Sequence, residues 1–211
     1  MPPRVNARIP LSLLEAVRRI DTPEIDTEET EYVHELRNKR LGLSDTVYQQ
    51  IRRYSDAVKR GQGIWYGEAT GLATLIGRRP DAEDLYDSAG KILANEVYQA
   101  ISTARRSTIR MMPALIGRPL ALRELSQIAI KIFRGTLTRS GRFLTLSIPY
   151  SVTANSIQSS LGCTYYASAL RELLRLLIQS GGSVDHVHCL QRGDTSCEWR
   201  AEWRSLEPER S

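Results

Sequence analysis

The residues best suited to chemistry are three cysteines and two histidines near the C-terminus. The cysteines are Cys163, Cys189 and Cys197, and His186 and His188 lie just before Cys189. Thiolate and imidazole are good ligands for zinc, and three sulfurs with one nitrogen form a donor set typical of closed tetrahedral zinc sites. Because seven residues between cysteines is not a common zinc-finger spacing, two alternatives stay open. The cysteines could be small buried hydrophobic residues, or Cys189 and Cys197 could form a disulfide.

A hairpin would position most of these ligands. Residues 183–190 and 196–203 flank a Gly-Asp turn, which predicts two antiparallel strands. Pairing about this turn places Cys189 opposite Cys197, on one face of the hairpin. Strict alternation places both histidines on the other face. A β-bulge, or the start of the strand, must therefore bring one histidine round to the cysteines.

The pattern of the remaining chain is mostly helical. Cys163 belongs to a helix predicted over residues 156–179, and residues 142–149 alternate in part and predict a strand. An acidic stretch over residues 21–35 predicts a linker or an exposed helix start. Other helices are predicted over residues 10–20, 43–58, 65–77, 81–105 and 119–134. The predicted fold class is α+β, with a helix-rich N-terminal part, then an antiparallel sheet with a C-terminal hairpin clipped by a metal site.

The composition is typical of a globular protein. The 211 residues are 41% hydrophobic and 25% charged, which suits one large domain or one domain with a helical extension. No apolar run approaches the roughly 18 residues of a membrane span, and the N-terminus lacks a signal-peptide core, so a cytoplasmic location is predicted. The net charge of +5 permits an anionic partner, but the basic residues are spread along the chain. Nucleic acid binding through residues 44–60 and 66–77 is disfavoured, because their connection is longer than a helix-turn-helix turn.

The order of cysteines and histidine resembles that of the 4-vinyl-reductase domain family. Members of that family have a first cysteine and, some two dozen residues later, an acidic residue. Two residues separate the acidic residue from a second cysteine. Seven residues, with Gly-Asp in a turn, separate the second cysteine from the last one. In this chain the same spacing is formed by Cys163, His186, Cys189 and Cys197. The match covers roughly residues 140–204. His186 stands where the family usually has glutamate. Since imidazole also binds zinc, the resemblance selects this histidine over its neighbour.

The resemblance implies a metal and a ligand. The family includes a bacteriochlorophyll-synthesis protein and the sensory domains of phenol- and xylene-responsive bacterial activators, and it is structurally related to subunits of the TRAPP tethering complex. In the ligand-sensing relatives these positions hold a structural zinc near an apolar pocket. We therefore expect a structural Zn²⁺ and a small hydrophobic or aromatic ligand. Each candidate for the pocket, taken alone, is better explained as an ordinary core residue. The candidates are Phe133, Phe143, Tyr150, Tyr165, Tyr166, Met111 and Met112.

The resemblance also predicts how the chain is organised into domains. Residues 1–60 match no motif of the family and are predicted to be an N-terminal helical extension. Residues 61–205 are predicted to be the ligand-binding domain, and residues 206–211 a disordered tail. The predicted surface for a dimer or a partner is a helical stripe in the extension, unless that stripe packs on the protein's own core: Val47, Ile51, Tyr54 and Val58.

Two functions are compatible with the resemblance. The first is a zinc-stapled sensor or adaptor domain that binds a small molecule and acts through homodimerisation or an output partner protein. The second is a (bacterio)chlorophyll-type tetrapyrrole vinyl reductase, or its accessory protein. Catalysis is the weaker prediction, because the sequence has no Gly-x-Gly-x-x-Gly fingerprint and a closed four-ligand zinc site leaves no open coordination position. No catalytic residue is nominated.

Overall fold

Helices and two antiparallel sheets form the fold, which confirms the predicted α+β class. The computed structural model describes residues 3–22, 42, 44–154, 161–179 and 182–202. Most of the acidic stretch over residues 21–35, and all of the predicted tail over residues 206–211, lie outside the described residues. Within the described ranges, no helix is both long and apolar enough to cross a membrane.

The described residues form seven α-helices and six β-strands. In order they are β1 (Arg4–Asn6), α1 (Arg8–Asp21), α2 (Asp45–Lys59), β2 (Gly63–Trp65), α3 (Tyr66–Ile76), α4 (Ala82–Ala100), α5 (Thr103–Met111), α6 (Ala114–Ile128), β3 (Thr136–Ser140), β4 (Phe143–Ile148), α7 (Leu161–Ile178), β5 (Val184–His188) and β6 (Cys197–Glu202). A π-helical turn continues α6 over Ala129–Phe133, and a 3₁₀ turn over Leu190–Arg192 joins β5 to β6.

Two predicted helices have different bounds in the structure. The helix predicted over residues 81–105 is divided into α4 and α5, because Ser102 caps α5 by accepting a hydrogen bond from the backbone N–H of Arg105. The helix predicted to begin at Pro119 begins five residues earlier, so this exposed proline lies inside α6. There it removes one backbone hydrogen bond from the helix. The sequence analysis predicts none of the strands β1, β2 and β3.

The N-terminal residues share one core with the rest of the chain. β1 pairs with β2, with Val5 opposite Ile64. The hydroxyl of Ser12 in α1 shares a buried 2.9 Å hydrogen bond with that of Tyr165 in α7. Apolar residues of α1 and α2 belong to the same hydrophobic cluster as those of α4 and α7. The described residues of α1 and α2 therefore pack in the same core as the later helices.

The stripe considered as a dimer or partner surface packs within the chain. Val47, Ile51 and Tyr54 are at most 6% exposed, and α2 lies against α1. Val58 packs at the edge of the same core, and the hydroxyl of Tyr54 donates to Glu68 at 2.7 Å. Of the two alternatives for this stripe, the structure shows packing on the protein's own core.

The helix α7 lies between α4 and the four-stranded sheet, whose strand order is β3-β4-β6-β5. Gly90 of α4 allows a close approach, because a Cβ atom there would lie 2.3 Å from the carbonyl oxygen of Tyr165 and 2.9 Å from the backbone nitrogen of Ala169. On the sheet side, α7 covers buried side chains of β4 and β6, among them the cross-strand pair Leu146 and Trp199. Nearly every side of α7 is therefore buried.

We expect Gly90→Ala to destabilise the protein by about 2 kcal/mol, because the added methyl group overlaps backbone atoms of α7 and forces the helices apart. The matched control is Gly71→Ala. Gly71 is an exposed glycine of α3 with no atom within 4 Å of a Cβ, so alanine should stabilise that helix by about 0.5–1 kcal/mol. Urea unfolding followed by circular dichroism measures both changes. Equal stability of Gly90→Ala and the wild type would contradict the close packing.

Candidate metal centre

Three neighbouring elements bring the four predicted ligands together. Cys163 lies in the first turn of α7, His186 in β5, Cys189 just after β5, and Cys197 at the start of β6. Their ligand atoms all lie within 4.8 Å of one another, and the sulfurs of Cys163 and Cys189 are 3.9 Å apart. All three cysteines are free thiols and are buried. The group could therefore hold a metal ion.

The spacing of the ligands and an unsatisfied nitrogen both fit a metal ion. Zinc–sulfur bonds of about 2.3 Å at a tetrahedral angle place two sulfurs about 3.8 Å apart, close to the 3.9 Å between Cys163 and Cys189. Nε2 of His186 is buried and has no hydrogen-bond partner among the described residues. Buried polar atoms rarely stay unpaired, and a bound cation would satisfy this nitrogen.

A β-bulge determines which histidine joins the cysteines. His186 pairs with Trp199, and the register then shifts so that His188 pairs with Glu198. His186 shares the inward face of β5 with Val184 and stacks on the Trp199 indole, with 5.3 Å between ring centroids. The shift after His186 inserts one extra residue into β5, so Cys189 reaches the same side as His186. The His188 side chain is 55% exposed and lies 3.5 Å from a carboxylate oxygen of Asp194. The bulge that the sequence analysis required is thus present, and it selects His186.

The turn between β5 and β6 positions two of the sulfurs through backbone hydrogen bonds. The carboxylate of Asp194 accepts a hydrogen bond from the backbone N–H of Cys189 at 2.7 Å. The backbone N–H of Leu190 donates to the sulfur of Cys197 at 3.5 Å. Gly193 closes the turn with a φ angle of 90°, which favours glycine. The Gly-Asp pair therefore shapes the loop that holds Cys189 and Cys197.

Two of the thiols differ in acidity. Hydrogen bonding from Cys163 lowers the pKa of Cys197 to about 5, with a further contribution from the Leu190 N–H, although burial opposes the shift. The same hydrogen bond, together with burial, raises the pKa of Cys163 well above its usual range. The lowered pKa favours the thiolate form of Cys197, which is the form that binds a metal cation.

Trp199 connects this centre to an aromatic cluster in the core. Its Nε1 donates to the carbonyl oxygen of Cys163 at 3.1 Å, which ties the start of α7 to β6. Its ring lies 5.1 Å from that of Tyr166. Tyr166 in turn meets Phe133 and Tyr165 edge to face, at 5.6 Å and 4.9 Å between centroids. All four aromatic side chains are at most 4% exposed.

The seven pocket candidates do not line one cavity. Phe133, Tyr165 and Tyr166 are buried together in the aromatic cluster. The other four candidates lie at or near the surface: Phe143, Tyr150, Met111 and Met112. Because Met111 is 85% exposed, it cannot line an enclosed chamber.

The sequence analysis missed two adjoining grooves where α4, α5 and α6 meet. They have volumes of about 470 Å³ and 440 Å³, and both are lined by Arg105, Glu124, Gln127 and Lys131. None of the seven pocket candidates lines either groove. The one indication in the sequence is the excess of basic residues in this part of the chain.

Comparison with known proteins finds neither a protein-family model nor a curated protein that matches the chain. The resemblance to the 4-vinyl-reductase domain family therefore depends on the order of the cysteines, His186 and the Gly-Asp turn, and it stays a prediction.

We expect His186→Ala to weaken metal binding by about 100-fold or more, since even residues that merely orient a metal ligand contribute about 10- to 100-fold. His188→Ala is the matched control, because its exposed imidazole points away from the sulfurs, and it should bind metal as the wild type does. Competition with a chromophoric chelator measures both affinities. Loss of metal from His188→Ala alone would contradict the assignment of the fourth ligand.

Proposed function

We propose that the chain is a zinc-stapled domain that binds a small molecule and acts as a sensor or adaptor through a partner protein or a second copy. The observation that carries the proposal is the group of Cys163, His186, Cys189 and Cys197, whose three cysteines are buried and whose four ligand atoms lie within 4.8 Å of one another. Such closed sites stabilise folds, whereas catalytic zinc sites keep one position for water or substrate.

Zinc suits this donor set better than other common metals. Three soft thiolates with one imidazole favour zinc over magnesium or calcium, which prefer oxygen ligands. With three thiolates and a neutral imidazole, a bound Zn²⁺ leaves a net charge of −1. In this proposal the ion joins α7 to the hairpin β5–β6, since Cys163 and Cys189 are 26 positions apart in the sequence. The binding energy of the ion then becomes folding energy.

The aromatic cluster beside the centre supports the ligand part of the proposal. Phe133, Tyr165 and Tyr166 offer ring edges and faces, and Trp199 connects them to the metal ligands. The hydroxyl of Ser151 is buried beside the hydroxyl of Tyr166 and the sulfur of Cys197. A monocyclic aromatic molecule with one polar group matches this set, because the rings can contact its apolar part and the hydroxyl can pair with its polar atom.

Elemental analysis of the full chain, purified under reducing conditions, tests the zinc part. We expect about one zinc per chain in the wild type and in His188→Ala. Cys189→Ser should lose the metal and unfold about 10 °C lower, because the loss of a structural zinc removes several kcal/mol of folding free energy. Reduced wild-type protein without metal, and as stable as Cys189→Ser, would overturn the zinc-stapled fold.

Thermal unfolding of the zinc-loaded chain with phenol and with o-xylene tests the ligand part. We expect phenol at 100 times its dissociation constant to stabilise the protein by about 2.7 kcal/mol, and more than o-xylene does at equal concentration. Ser151→Ala should abolish that preference while zinc content is kept. Ser107→Ala, at an exposed position of α5, should preserve it. Absence of stabilisation by either probe would overturn the ligand part, and turnover of a divinyl tetrapyrrole with a nicotinamide reductant would favour the vinyl reductase instead.

A further inference from the structure

The net positive charge of the chain is concentrated in one stretch. Residues 101–170 contain nine basic residues and one acidic residue, a net charge of +8, whereas the whole chain carries +5. The other residues are therefore net acidic. The basic residues are spread along the chain as expected, and the excess of positive charge arises because this stretch contains almost no acidic residues. The cationic part of the molecule is centred on α5, α6 and the strands that follow them.

An apolar cluster is exposed within this cationic part. Large apolar side chains lie on both sides of Pro113, in the turn between α5 and α6, and two of them are 85% and 90% exposed. Single exposed apolar residues are common, but adjacent ones at one turn mark an interaction surface. We define the α5–α6 tip as Met111, Met112, Leu115 and Ile116.

Arginines flank the α5–α6 tip on both helices. Arg110 is next to the tip in α5, and Arg106 lies one helical turn before it. Both guanidinium groups lie over the ring of Tyr98, that of Arg106 at 5.1 Å and that of Arg110 at 5.6 Å from its centroid. In α6, Arg118 lies one turn after Leu115, so the two side chains share one face of the helix.

We propose that the α5–α6 tip docks on the surface of an anionic phospholipid bilayer. The exposed methionine, leucine and isoleucine side chains enter the boundary between headgroups and acyl chains, and the flanking arginines contact lipid phosphates. Apolar residues beside cations on a helical surface are the combination that binds such interfaces, since burial of apolar area and attraction to anionic lipids add.

The charge of this surface argues against two other occupants. A second copy docked on the same patch would bring two strongly cationic surfaces together, which costs electrostatic energy. A nucleic acid would attract the arginines but would leave the exposed methionine and leucine side chains without an apolar partner. An anionic bilayer satisfies both kinds of side chain.

Co-sedimentation of the full chain with vesicles of phosphatidylcholine, alone or mixed with phosphatidylserine, tests the proposal. We expect binding to the mixed vesicles to be about tenfold tighter or more, and to weaken with added salt. Arg110→Gln with Arg118→Gln should lower the affinity by about 25-fold, roughly fivefold for each arginine. Met111→Gln with Leu115→Gln should lower it by about tenfold without any change of charge.

Matched controls lie on other helices. Leu75→Gln removes a 57% exposed leucine from α3, and Arg52→Gln with Arg60→Gln removes two exposed arginines at α2. Both controls should bind vesicles as the wild type does, and circular dichroism should show equal thermal midpoints for all variants. Equal losses in the controls, or equal binding to neutral vesicles, would overturn the proposal.

Two further results would replace the bilayer with another occupant. In the first, the wild type sediments as a dimer that Met111→Gln with Leu115→Gln converts to monomers, and it does not bind vesicles. In the second, the wild type binds duplex DNA or RNA and not vesicles, and Arg110→Gln with Arg118→Gln removes that binding.

Discussion

The structure depends on the burial of α7 between α4 and the four-stranded sheet. On one side the helix approaches α4 so closely that Gly90 must lack a side chain. On the other side Trp199 of β6 donates a hydrogen bond to the carbonyl of Cys163, at the start of α7. Because both faces are held, the first turn of α7 has a defined position over the hairpin. The sulfur of Cys163 therefore meets the ligands of β5 and β6 without a long or adjustable loop.

The metal centre and the aromatic cluster form one continuous buried unit. His186 and Tyr166 both pack on Trp199, so the ring that supports a metal ligand also contacts the cluster proposed to receive a small molecule. A change in the packing of the cluster would therefore reach His186 through a single side chain. This is the shortest physical connection between ligand binding and the stapled hairpin, and a sensor of the proposed kind needs such a connection.

The helix α6 connects the α5–α6 tip, proposed to dock on a bilayer, with the aromatic cluster, proposed to receive a small molecule. It begins beside the exposed α5–α6 tip, and the π-helical turn that continues it ends at Phe133, which packs against Tyr166. At about 1.5 Å per residue, this rigid element spans roughly 30 Å. Docking at the tip and binding in the cluster would thus act on the same helix.

The sequence by itself determined the α+β class, the candidate metal-ligand set and the Gly-Asp turn, because residue type, hydrophobic period and turn chemistry are local properties. The four ligands were identified because thiol and imidazole chemistry belongs to the residues themselves. Only the tertiary structure decided that the stripe in α2 is core, that β1 joins the main body, and that Met111 lies at the surface. It also supplied the bulge that places His186 and Cys189 on the same side of the hairpin. These outcomes depend on contacts between residues far apart in the chain, which no local pattern records.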